Sequence, residues 1–376
     1  MDITEYIEQY GVYTLEEKEF NEVDSLVLSQ FTYLKFDKIV PGIDGKSAVS
    51  LEKMSTHKEY ESLFSDKRYE VDNRRLFQAL LESRRFSKLK CNFYVNIVDT
   101  AWEIQFSAVT VLFPNGFVYV AYRGTDETLV GWKEDFNMAF QTTVPAQEKA
   151  VQYLNQVAER FAGHFYTGGH SKGGNLAVYA AMYCNESVRE RIKRIYSHDG
   201  PGFKPEILQS GAFDQVSSRI YKLLPHSSVI GMVLQEQEHY HVVACKSFGL
   251  FQHNPFNWLV EEDHFVNSEL GNGTRILDQG LNEWIQALDK EELRCFVETM
   301  YGLIEATGAT QTLELENDWK KNIPAVMNAA KSLDPATKKN MKRIFKILVR
   351  QINQSVWDEL PEHVTDRISN RMINKQ

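Results

Sequence analysis

Between Trp102 and Val243 the chain alternates short apolar runs with segments of helical period. The runs are Phe117–Tyr122, Phe165–Thr167, Ile192–Ser197, Arg219–Leu224 and Tyr240–Ala244, and Ala146–Phe161 is a typical helical segment between them. Strands that alternate with helices predict the α/β class with a mostly parallel sheet. Before this region, Val23, Leu26, Val27 and Leu34, then Leu76, Phe77, Leu80 and Leu81, recur at steps of three and four. They predict a helical N-terminal segment that covers one side of the sheet. After Val260 the strand pattern stops. Leu293, Phe296, Val297, Met300, Tyr301 and Ile304 form a helical stripe, and Asp334-Pro335 supplies an N-cap and a first-turn proline for a further helix. The expected division is a sheet-bearing unit over residues 1–265, N-terminal helices included, and a helical C-terminal region over 266–376. No solenoid repeat or low-complexity tract is present.

One run tests for a membrane span, because Ile104–Tyr122 carries no formal charge and is long enough to cross a bilayer. Its centre is Pro114-Asn115-Gly116, which is turn chemistry, and its flanks are β-branched and aromatic. A hairpin of two strands is expected, with no transmembrane segment. Of the 376 residues 43% are hydrophobic and 25% are charged, so a folded chain with a sizeable core is expected. Lys+Arg 42 against Asp+Glu 51 gives a net charge of −9, which offers no long-range attraction to nucleic acid. Cys91, Cys184, Cys245 and Cys295 are dispersed and read as free thiols. The opening Met1-Asp2-Ile3-Thr4-Glu5 lacks the basic-then-apolar run of a secretory signal, so a cytoplasmic location is the expectation.

The most informative segment is Phe165-Tyr166-Thr167-Gly168-Gly169-His170-Ser171-Lys172-Gly173-Gly174-Asn175-Leu176-Ala177. It holds G-x-S-x-G at Gly169, Ser171 and Gly173, after an expected strand and before the helical run Leu176–Met182. A serine at such a turn sits in a strained backbone, and the small residues on either side let strand and helix approach closely. The helix N-terminus then presents free N–H groups to developing negative charge. The bland alternative is a Gly-rich turn whose serine caps the helix. A phosphate-binding loop fits less well, since G-x-x-x-x-G-K-[ST] spacing is missing. An oxyanion hole needs a second N–H, and the expected strand before Arg123-Gly124-Thr125-Asp126 runs into a small-residue turn. Thr125 is the candidate donor, with the Lys172 backbone N–H as its partner.

Tyr122-Arg123-Gly124-Thr125, then Gly131-Trp132-Lys133-Glu134-Asp135-Phe136, then Gly169-His170-Ser171-Lys172-Gly173-Gly174 resemble the fungal-type (class three) lipases. They resemble more closely a bacterial lipase-like family of unknown function. The lipase resemblance covers roughly Ile104–Val260, and the closer one most of the chain. It implies an α/β-hydrolase fold, Thr125 as the oxyanion residue and Asp135 as its support. The lipases commonly carry leucine where this chain has Lys172; only the backbone N–H is used there.

An acid and a base should follow the serine in chain order. Asp199, in His198-Asp199-Gly200-Pro201-Gly202, lies where the run Ile192–Ser197 meets a turn, and it is the candidate acid; an Asx turn with Gly200 is its bland reading. The lipases carry their acid one strand later, but the matching turn here, Pro225-His226-Ser227-Ser228, has no carboxylate. His253, in the loop beyond the last expected strand, is the candidate base, with His226 and His198 in reserve. His239 and His241 form an H-x-H beside Glu238, but no third ligand recurs at metal spacing, so no metal is expected.

These residues predict a serine hydrolase that cleaves carboxylic esters through an acyl-enzyme and needs no cofactor. The partner is then a small-molecule or lipid ester. The rival is a non-catalytic hydrolase-fold protein that binds an acyl ligand or a protein, motivated by the missing carboxylate at the usual turn. Beyond Pro335, Met341, Ile344, Phe345, Leu348 and Ile352 form an apolar stripe. Lys338, Lys339, Lys342, Arg343, Lys346 and Arg350 take the other faces. The expectation is that the stripe packs on the hydrolase domain with its charges solvated, while a peripheral contact with an anionic membrane is the alternative.

Overall fold

The computed structural model describes residues 1–138, 141–234, 239–247, 249–309 and 319–358. Among them, eight strands form one sheet in strict chain order: β1 (Val49–Ser50), β2 (Lys90–Asp99), β3 (Ile104–Leu112), β4 (Val118–Tyr122), β5 (Phe165–His170), β6 (Ile192–His198), β7 (Ile220–Pro225) and β8 (His241–Val243). The first four strands pair antiparallel, and β4 to β8 pair parallel. The chain thus has the expected α/β fold with a mostly parallel sheet. The uncharged run Ile104–Tyr122 is the β3–β4 hairpin, with Gly116 at φ +85 in its turn. No helix among the described residues is long and apolar enough to cross a membrane.

Strand order decides which face each helix covers. Right-handed crossovers between parallel strands taken in sequence place every connecting helix on the same face. Among the described residues, the helices of eight or more residues are α1 (Ile3–Tyr10), α2 (Glu22–Phe31), α3 (Glu70–Glu82), α4 (Leu129–Asn137), α5 (Pro145–Ala158), α6 (Lys172–Tyr183), α7 (Asn272–Gln286), α8 (Lys290–Glu305), α9 (Trp319–Ser332) and α10 (Pro335–Asp358). On the crossover face, Val118, Val120 and Tyr122 of β4 are buried with Ala150 and Leu154 of α5 and Leu176 and Ala180 of α6. The alternate residues Tyr119 and Ala121 point the other way, and without further cover they would face water. There they meet Val23, Leu26 and Val27 of α2 and Leu76, Phe77 and Leu80 of α3. Each such side chain contributes about 1.5–3 kcal/mol by its burial.

The N-terminal segment is not all helical. It also supplies β1 and β2, and β2 is ten residues long. A bulge explains why its alternation was hidden: the register with β3 shifts between Asn92 and Val95, and Phe93 lies at φ +58.

The C-terminal helices build a small core of their own from Trp284, Leu288, Leu293, Val297 and Ile344. The Asp334 side chain accepts from the Ala336 and Thr337 N–H groups at 2.9 Å, which caps α10 as expected. The stripe packs on the C-terminal helices α7 and α8, where the hydrolase domain was the expected partner, and not with every residue foreseen. Met341 and Ile344 are buried, whereas Phe345 is 43% exposed with its ring edge against Phe296. The Ile352 side chain lies outside the described residues. The residue that reports docking is therefore Ile344. Ile344→Asp is expected to destabilise the C-terminal core by on the order of 3 kcal/mol, because it buries an unpaired charge. Lys342→Glu with Lys346→Glu, on exposed positions, should shift stability by about half a kcal/mol or less each. Chemical denaturation followed by tryptophan fluorescence checks both, and vesicle binding lost on charge reversal would favour the membrane alternative.

Candidate functional site

The carboxyl ends of β4, β5, β6 and β7 lie side by side, and the loops leaving them carry the chemistry-bearing residues. Such a row of strand ends is where open α/β sheets gather ligands. Ser171 sits between β5 and α6 at φ +59, a left-handed conformation uncommon for a residue with a side chain. Two close approaches make it possible. A Cβ on Gly173 would come within 2.2 Å of the Tyr122 carbonyl oxygen, and one on Gly169 within 2.4 Å of the Gly173 backbone. The turn is also tied from below, since the Ser171 N–H donates to the His198 carbonyl at 2.8 Å.

The loop after β4 lies against this elbow. A Cβ on Gly124 would meet Ser171 Cβ at 3.1 Å. Next to it, buried Thr125 donates its hydroxyl to Asp135 Oδ2 on α4. The loop is fixed through Asp126, whose carboxylate accepts from the Thr128 N–H and hydroxyl and pairs with Arg123 at 3.2 Å and Lys35 at 3.5 Å. Burial alone would raise the Asp126 carboxyl, but Arg123 and Lys35 outweigh it and hold the group down at about 2.

Asp199 follows β6 and also lies at positive φ, +50. It is buried, with all its acceptor capacity directed. Oδ2 is 2.6 Å from His253 Nδ1, while Oδ1 accepts from the Ser228 hydroxyl and, at 3.1 Å, from the Gly231 N–H. A carboxylate at Nδ1 selects the tautomer with its proton there, leaving Nε2 free to accept one. The His253 ring packs at 4.5 Å on that of His170, the residue before Ser171, so the imidazole stands beside the elbow. Burial first, then the charges of His253 and His198, push His170 far below its ordinary range. His170 is therefore neutral and adds no positive charge against a protonated His253.

The structure brings His253 onto Asp199 and against His170, the neighbour of Ser171, with Lys172 following the serine and Asp135 behind Thr125. It places the reserve histidines elsewhere. His198 is buried with Nε2 2.8 Å from Ser25 Oγ and is pushed down to about 3 by desolvation, and His226 Nε2 lies 2.8 Å from Gln252 Nε2. His241 stacks on Tyr221 at 4.6 Å, and Glu238 lies outside the described residues. Exposed Glu262, half-exposed Asp263 and exposed His264 at the β9–β10 turn (Val260–Glu261, His264–Phe265) come within reach of one another, but Asp263 is paired with Lys18.

Three residues of the cluster escaped sequence reasoning. Ser228 belongs to the turn that lacks a carboxylate, and its hydroxyl now donates to the acid of the neighbouring strand. Gln252 is buried and anchors the histidine loop. Its side chain accepts from the Ser227 N–H at 2.7 Å and donates to the Ser247 carbonyl at 2.8 Å, and its own carbonyl accepts from Trp258 Nε1 at 2.9 Å. Glu134 is buried beside Lys172. A residue next to a recognised motif is the only signal that could have found it.

Solved structures similar to the chain include two lipases. The crystal structure of M37 lipase shares 14% identity over 55% of this chain and 68% of that one, with a TM-score of 0.35. A Rhizomucor miehei lipase, in a propeptide complex of a deletion mutant, shares 14% identity over 53% and 69%, with a TM-score of 0.32. None of the curated proteins matches. The model of one family matches residues 80–302, more than half of the chain and a span that includes Thr125, Asp135, Ser171, Asp199 and His253; the chain belongs to the Mbeg1-like family.

Proposed function

We propose that the protein is a serine hydrolase that cleaves carboxylic esters, carried by residues 1–265, with 266–376 as a separately cored helical region. Ser171 Oγ attacks the acyl carbon as His253 Nε2 takes its proton. Asp199 holds the imidazole in the required tautomer and stabilises its charge. The Thr125 and Lys172 N–H groups receive the oxyanion, and Asp135 fixes Thr125. His253 then protonates the leaving alcohol, and water, activated by the same histidine, releases the acid. The observation that carries this reading is the 2.6 Å contact of Asp199 Oδ2 with His253 Nδ1 beside a serine held at φ +59. No step calls on a metal or organic cofactor.

A two-step route predicts a burst. Mixing the protein with p-nitrophenyl esters of increasing acyl length should release an initial pulse of nitrophenolate close to the enzyme concentration when deacylation is slow. The chain length with the highest kcat/KM then defines the acyl preference. No turnover of any ester in the series counts against the proposal.

A further inference from the structure

The side chain of Lys172 has no part in the mechanism above, yet it is 1% exposed and carries a charge. Burying an ammonium costs several kcal/mol unless it is compensated. Its compensation comes from two other elements. Nζ donates to Gln105 Oε1 at 2.7 Å and to the Gln105 carbonyl at 3.0 Å on β3, and to Glu134 Oε2 at 3.0 Å on α4. It also stands 3.6 Å from Asp135 Oδ1. Burial would lower the ammonium's affinity for its proton, but Glu134 and Asp135 outweigh this and hold the group above its ordinary range. Glu134 in turn accepts from the Gln105 N–H at 3.0 Å and from the Ala146 N–H at the start of α5 at 2.9 Å.

The consequence reaches the oxyanion loop through Asp135. One carboxylate oxygen of Asp135 accepts from the Thr125 hydroxyl. The other is buried without a hydrogen-bond donor, and the Lys172 ammonium is the positive charge beside it. Burial holds the Asp135 carboxyl above its ordinary range; Lys172 is the largest opposing influence, ahead of the Thr125 hydrogen bond, while Glu134 adds to the rise and His253 opposes it. The packing leaves little slack, because a Cβ on Gly131 would meet Thr125 Cγ2 at 3.0 Å and Gln105 Oε1 at 3.1 Å.

We propose that the Lys172 side chain, clamped by Glu134, is a positioning residue: its ammonium holds the Asp135 carboxyl group in place, and so locks the two oxyanion donors, the Thr125 N–H and its own N–H, into one rigid unit. The proposal rests on the serine hydrolase reading. It gives the lysine at this position a task that an apolar residue cannot perform, which is to set a positive charge beside the buried Asp135 Oδ1.

The test is a double-mutant cycle on an activated ester, with a structural readout beside it. Lys172→Met should lower kcat by about 10- to 100-fold with KM little changed, the scale of weakening one oxyanion donor. Introduced into Asp135→Asn, the same substitution should change kcat by less than about threefold, because the pathway through Asp135 is already cut. Where Lys172→Met alone does not fold, Lys172→Met with Glu134→Gln removes both buried charges and restores stability. Its kcat should stay low, whereas a purely structural role requires it to recover. Independently of turnover, the side-chain nitrogen resonance of Lys172 in 15N-lysine-labelled protein should move on Asp135→Asn. Additive losses, a recovered kcat in the charge-free pair, or an unmoved resonance overturns the proposal. A wild-type chain that takes no fluorophosphonate on Ser171 and turns over no ester, while the resonance still responds, overturns the hydrolase reading instead and leaves the ionic link standing.

Discussion

Ser171→Ala is expected to lower kcat for a short activated ester by about three decades or more while the melting temperature stays within a few degrees of wild type. The hydroxyl lies at the mouth of a turn whose geometry is set by backbone contacts, the Ser171 N–H on His198 and the glycine approaches to Tyr122. An alanine keeps all of them. Residual hydrolysis should come from the oxyanion donors and from binding alone. Undiminished turnover in the purified variant would place the nucleophile at another residue.

The second large effect concerns the acid. Asp199→Asn should depress kcat by on the order of a thousandfold or more, since an amide that donates to His253 Nδ1 selects the wrong tautomer. The remaining amide oxygen can still accept from Ser228 and the Gly231 N–H, so the fold should survive. Ser228→Ala removes one donor from a buried carboxylate and should cost roughly tenfold. Asp214→Asn, on an exposed turn, should cost nothing. An Asp199→Asn enzyme that keeps most of its activity would move the acid away from the end of β6.

The order of those effects follows from how the acid is held. The turn after β7, which has no carboxylate in Pro225-His226-Ser227-Ser228, contributes a hydroxyl in its place. A carboxylate one strand earlier reaches the same histidine, and its charge is shared between an imidazole N–H, a hydroxyl and a backbone N–H. Displacing the acid by one strand thus leaves no orphaned oxygen.

What could be read from sequence was what is local. The parallel strands begin within one or two residues of the apolar runs, because each run is bounded by turn residues and the central ones are largely buried. The elbow was legible for the same reason: nucleophile, glycines and helix start lie within a dozen residues. β2 was not, since its bulge at Asn92–Phe93 breaks the two-residue period and the strand was absorbed into a helical reading of the first hundred residues. Spacing places Phe345 on the docked face, yet its ring stays partly exposed at the edge of the stripe and Ile344 takes the buried place. Ser228, Gln252 and Glu134 act across 29, 25 and 38 positions of sequence. No pattern in one chain encodes such contacts.

The account stands or falls on whether Ser171 is an activated nucleophile. Intact-mass and peptide-level mass spectrometry after exposure to a fluorophosphonate measures this directly. A single phosphonyl adduct per chain is expected, on the peptide that contains Ser171, absent from Ser171→Ala and strongly slowed in His253→Ala. A chain that takes up no adduct, or one whose adduct persists in Ser171→Ala, contradicts the account.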